Sequence, residues 1–113
     1  MTDRAPHADA PHADALRARL LHLANEVFPA AAKTGDYPVR LNHCFLRIVY
    51  DNLLGARWQT VLPKGQPAYR QLTPDQLARA IEIGEAIVAD PQHCRRLNER
   101  SLRWRGRHPR ASR

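Results

Sequence analysis

One stretch limits the possible folds more than any other: Tyr37 to Trp58, YPVRLNHCFLRIVYDNLLGARW, the longest segment with a sustained apolar period. Leu41, Cys44, Phe45, Ile48, Val49, Asn52 and Leu53 recur three and four residues apart, which places them on one face of an α-helix. Asp36 stands before Tyr37-Pro38, and proline suits a first helical turn because its missing N–H would have no partner there. Gly55 supplies a stop. The spacing predicts a core helix that starts near Tyr37 and ends at Gly55. Its opposite stripe is Arg40, His43, Arg47 and Asp51, at steps that keep them on one face. A merely solvated face usually carries Lys and Glu, whereas these side chains make directional hydrogen bonds. Two readings follow: an Arg47–Asp51 surface pair beside an exposed His43, or a recognition surface or pocket wall. If the helix is buried, Asp51 requires Arg47 or another cation, because an unpaired buried carboxylate is costly.

The same period predicts three more helices. The first runs from His12–Ala13 to about Val27–Phe28 on Leu16, Leu20, Leu23, Ala24 and Val27. Pro29 begins its exit, although the following alanines could carry another turn, and Lys33 to Asp36 reads as a turn. Pro63 to Pro67 is a loop, with two prolines and a glycine in five residues. Thr73-Pro74-Asp75-Gln76 has the composition of a capping box. The helix it opens carries Leu77, Ala80, Ile81, Gly84, Ile87 and Val88 as one apolar stripe, where Gly84 fits a close approach by another helix. Asp90-Pro91 opens the last helix, with Cys94, Leu97, Asn98, Ser101 and Leu102 inward, and Gly106 and Pro109 end it. β-like runs are short. The expected architecture is all-α: a compact four-helix domain over 13–106, a disordered leader over 1–12 in which PHADA occurs twice, and a basic tail over 107–113.

No run approaches the roughly 18 apolar residues of a membrane span. The start of the chain has no apolar signal-peptide core, so a cytoplasmic protein is expected. Cys44 and Cys94 read as buried thiols rather than a disulfide. The net charge of +7 is uneven. Residues 1–92 hold ten basic and ten acidic residues, whereas 93–113 hold eight arginines against one glutamate. Arg96, Arg100, Arg103 and Arg107 share one helix face, with Trp104 and Arg105 interleaved. That pattern fits contact with a phosphate backbone. The alternative is a solvated terminus in a chain that uses sixteen Arg against two Lys.

Other chemistry is sparse. His43-Cys44 and His93-Cys94 invite a zinc reading, but neighbours on a helix point about 100° apart, and no zinc-ligand spacing is present. No metal and no cofactor is expected from the residues. Phosphate-binding glycine loops are missing, and no pair of carboxylates is placed for hydrolysis. Trp58 and Tyr69, with His43, Arg47 and Arg70, are placed either to rim a cleft for a planar or anionic group or to cover the core edge.

Tyr37-Pro38-Val39-Arg40, Asn42-His43-Cys44-Phe45, Arg47-Ile48, Asp51-Asn52, Gly55-Ala56, Trp58, Pro67-Ala68-Tyr69, Leu72-Thr73, Leu97-Asn98, Ser101-Leu102 and Trp104-Arg105-Gly106 together resemble a family of small bacterial proteins, some labelled GNAT-type N-acetyltransferases. The likeness covers about residues 37–106 and implies acetyl-CoA binding, with no catalytic residue to carry over. The chain lacks the Q/R-x-x-G-x-G/A loop that such binding uses. The first functional expectation is a non-enzymatic helical module. It binds a protein partner through the polar stripe and nucleic acid or another polyanion through its Arg-rich end. The alternatives are a ligand-binding protein or enzyme with a cleft at His43, Arg47, Asp51, Trp58, Tyr69 and Arg70, or a homodimer subunit.

Overall fold

A computed structural model describes residues 6–107, with side chains from His12 onward. Every regular element among the described residues is helical, with no strand, as the periodicity predicts. α1 spans Pro6–His22, a π-helical segment Leu23–Val27, α2 Phe28–Thr34, α3 Asn42–Leu54, α4 Ala68–Gln71, α5 Pro74–Ala89 and α6 Pro91–Trp104, with one 3₁₀ turn at Trp58–Thr60. α1, the π segment and α2 follow without a break. The domain therefore consists of four long helical segments, with α4 as a single added turn.

Three boundaries differ from expectation. The first helix starts at Pro6, so residues 6–12, expected in a disordered leader, have helical backbone. Alanine at every second or third position favours this extension, and Pro6 suits its first turn, although Pro11 within it removes one ladder N–H. Residues 1–5 of the expected leader, and 108–113 of the basic tail, lie outside the described residues. Pro29 does not end the helix. A proline removes the N–H that would bond the carbonyl four residues back, and its ring crowds that carbonyl. The π segment just before it widens the ladder, and the Phe28 N–H bonds the Leu23 carbonyl five residues back. The helix thus resumes as α2 with Pro29 in its first turn. The third difference is the core helix, which starts at Asn42 instead of near Tyr37. Pro38 disfavours helical backbone at Tyr37. Tyr37 is tied elsewhere, its hydroxyl donating to the Val88 carbonyl and its ring edge-on to Phe28 at 5.3 Å. Arg40, also outside the helix, donates to the Ala32 carbonyl at 2.6 Å and so satisfies an end of α2.

α3 runs through the centre. Phe45, Ile48 and Val49 are fully buried, and Phe45 stacks on Phe28 at 4.6 Å. α5 crosses it and also packs along α1. Gly84 lies at this crossing: a Cβ there would sit 2.7 Å from Leu23 Cδ2 and 3.0 Å from Phe45 Cζ. α5 opens on the expected capping box. The Gln76 N–H donates to Thr73 Oγ1 at 3.1 Å, and the Thr73 N–H donates to Gln76 Oε1 at 2.9 Å. Thr73→Ala is expected to cost about 1 kcal/mol, read as a lower urea midpoint with an unchanged slope.

Cys94, fully buried on α6, has its thiol pushed from 9.0 up to about 11, mainly by burial, with Arg95 and Arg47 opposing. The unfolded thiol ionises first, so between those values the folded state binds more protons and stability falls as pH rises. Tyr50, also raised by burial, adds loss in the same direction at higher pH. Alkaline titration of the denaturation midpoint is expected to show decline beginning near pH 9, and Cys94→Ala is expected to flatten its first part. No helix among the described residues is long and apolar enough to cross a membrane.

Candidate functional site

The polar stripe of α3 divides into a buried part and an exposed part. Asp51, in the last turns of α3, is 0% exposed. Its carboxylate accepts four hydrogen bonds: from Ser101 Oγ at 2.6 Å, Arg105 Nε at 2.8 Å, Arg105 Nη2 at 3.0 Å and the Trp58 N–H at 2.9 Å. Arg47 Nη1 donates to Ser101 Oγ at 2.8 Å, so the serine hydroxyl bridges Arg47 and Asp51 in place of the direct pair anticipated from sequence. Arg105 also donates to Gln59 Oε1 at 2.9 Å. The network joins α3, the 3₁₀ turn and the end of α6.

Local structure places each member. α6 ends in a Schellman arrangement, with the Gly106 N–H on the Arg103 carbonyl at 3.0 Å and the Arg107 N–H on the Leu102 carbonyl at 2.8 Å. Gly106 takes φ 75°, which glycine adopts at no steric cost. Arg105, at the helix end, folds its guanidinium back onto Asp51. The bidentate pair is shielded, with side-chain exposures of 11% and 0%. Arg105 is therefore not an outward phosphate contact, contrary to the expectation from its place in the basic run. Only a carboxylate on another helix, distant in sequence, decides where it turns.

A cleft of about 280 Å³ opens beside this network, lined by His43, Cys44, Arg47, Trp58, Gln59 and Arg105. Burial lowers the pKa of the Arg47 guanidinium from its ordinary value; Cys44 and Asp51 oppose the shift, and Arg105 and Arg107 add to it. Trp58 lies edge-on to Tyr50 at 5.8 Å and forms one wall. Of the anticipated cleft residues, His43, Arg47 and Trp58 line it, and Asp51 lies buried behind it. Arg40 lies apart, on the end of α2. Tyr69 and Arg70 also stand aside from the cleft, with the Arg70 guanidinium 5.5 Å from the Tyr69 ring centroid. Ser101 and Gln59 are members that the sequence reading did not single out as site residues. For Ser101 the signal was its place on the inner stripe of α6, where a small hydroxyl among apolar residues has to meet a polar partner.

The outer face of α6 differs in kind. Arg96, Arg100 and Arg103 are exposed on it, and Trp104 is 39% exposed; Arg107 is also exposed but follows the left-handed Gly106 turn, so it lies off the helical face its spacing predicted. Arg96 makes one contact, Nη2 to His93 Nδ1 at 3.3 Å. Among the described residues none of these four arginines pairs with a carboxylate, whereas on the same helix Arg95 meets Asp36 and Arg105 meets Asp51.

No family model matches the chain, and no curated protein or solved structure matches it.

Proposed function

We propose that this chain is a small, non-enzymatic helical module that binds nucleic acid through the outer face of α6. Arg96, Arg100 and Arg103 contact backbone phosphates, Arg107 adds a further contact just past the helix end, and Trp104 offers a flat ring on which an unpaired base stacks. One observation carries the reading: these arginines lack acidic partners while their neighbours Arg95 and Arg105 have them. An exposed row of like charges destabilises a helix in isolation. A polyanion removes that repulsion and releases its own counterions on binding.

A fluorescence-anisotropy titration of a short single-stranded oligonucleotide with the full chain tests the proposal. Binding is expected at low salt, weakening with salt at a slope of roughly −2 to −3, from about −0.7 per neutralised phosphate over three or four contacts. Absence of binding at low salt contradicts the proposal.

A further inference from the structure

The cleft between α3, the 3₁₀ turn and the end of α6 holds more positive charge than its carboxylate balances. Asp51 is matched by Arg105 through two hydrogen bonds, and its remaining acceptor capacity is taken by Ser101 and the Trp58 N–H. Arg47 is thereby left over. Among the described residues its one hydrogen-bond partner is a neutral hydroxyl, and no carboxylate lies within salt-bridge distance of it. A half-buried guanidinium in that state carries a desolvation cost that an incoming anion offsets. Arg107, exposed nearby, adds positive charge felt at Arg47. With Arg47, Arg105 and Arg107 against Asp51, the surroundings favour a ligand carrying two negative charges over one carrying a single charge.

Size and shape narrow the class. A cleft of about 280 Å³ lies at the small end of ligand sites. His43 stands exposed at the rim as a further hydrogen-bonding group, and Gln59 and Trp58 form the other walls. The planar fork of arginine matches the oxygens of a phosphate group. We infer that this cleft binds a small phosphate dianion, free or as a terminal ester, through Arg47 with His43 at its rim. Arg47 and His43 lie apart from Arg96, Arg100 and Arg103, and the inference does not depend on the nucleic-acid reading; Arg107, past the end of α6, adds charge to both.

The two tryptophans make the inference testable in solution. Trp58 lines the cleft and Trp104 lies on the outer face of α6. Trp104→Phe assigns the two indole N–H resonances. Inorganic phosphate, glycerol phosphate and acetate are then titrated into the ¹⁵N-labelled full chain at matched ionic strength. The expected result is a saturable shift of the Trp58 indole with either phosphate and a fixed Trp104 indole. Acetate should bind at least about tenfold more weakly. Tighter binding of glycerol phosphate identifies an ester as the ligand, and tighter binding of inorganic phosphate identifies the free ion. Arg47→Gln should weaken binding about tenfold, while joint replacement of Arg96, Arg100 and Arg103 by Gln should leave it within about twofold. The inference is overturned by no saturation at about 20 mM phosphate, by equal binding of acetate, by wild-type affinity in Arg47→Gln, or by shifts confined to Trp104. Should Arg47→Gln not fold, the wild-type titration decides alone.

Discussion

Asp51→Ala is expected to lower the stability of the domain by about 3–5 kcal/mol, the largest effect of any single change considered. Four hydrogen bonds converge on this carboxylate, and alanine leaves Ser101 Oγ, Arg105 Nε and the Trp58 N–H without an acceptor. Arg105, only 11% exposed, loses its counter-charge where water compensates poorly. Ser101 keeps Arg47 but loses the acceptor for its own proton. The 3₁₀ turn also loses the bond that fixes the Trp58 backbone to α3. The effect should appear as a lower urea midpoint at an unchanged slope. Asp51→Leu combined with Arg105→Met should cost less than Asp51→Ala alone, since that exchange strands no charge at the pair. A loss below about 1 kcal/mol for Asp51→Ala would mean that Asp51 and Arg105 are solvated in solution.

Gly84→Val is expected to cost about 2–3 kcal/mol. A first carbon at this position meets Leu23 Cδ2 at 2.7 Å and Phe45 Cζ at 3.0 Å. The leucine methyl is the far end of a flexible side chain. The Phe45 ring is fully buried and stacked on Phe28 at 4.6 Å. Branching at the next atoms drives the α3–α5 crossing apart. Gly84→Ala makes only these Cβ contacts, without the branched atoms, and regains about 1 kcal/mol of helix propensity, so it should cost much less than valine. Thermal melts of the two variants check the ordering. Equal stability of valine and wild type would show that the helices cross elsewhere.

Much of the fold was legible in the chain because local chemistry and burial agreed. Thr73 and Gln76 form the box that their spacing predicts, and Phe45, Ile48 and Val49 face inward as their period requires. Gly84 sits at a close helix crossing, as its place on the apolar stripe indicated. Boundaries failed where a longer-range contact outweighed a local signal. Proline at 38 fitted a helix start, but Tyr37 is held by Val88 and Phe28, and Arg40 by Ala32. Pro29 fitted a helix end, but a π segment absorbs it. The candidate site was half legible. Spacing placed His43, Arg47 and Asp51 together, and a buried Asp51 needs a cation by its chemistry alone. That the cation is Arg105, 54 residues on, depends on α3 packing against α6, which no local pattern encodes.

The basic run put Arg105 beside the outward arginines as a nucleic-acid contact, and the fold divides them. Arg105 secures Asp51, whereas Arg96, Arg100, Arg103 and Arg107 remain exposed and unpaired with carboxylates among the described residues. The most direct test of that division is oligonucleotide affinity as a function of salt, compared between the wild type and the joint Arg96→Gln, Arg100→Gln, Arg103→Gln variant. The expected result is a fall in affinity at low salt and a salt slope shallower by about 2, from about 0.7 per lost contact, with the urea midpoint unchanged. Unchanged affinity and slope in the triple variant would contradict the account.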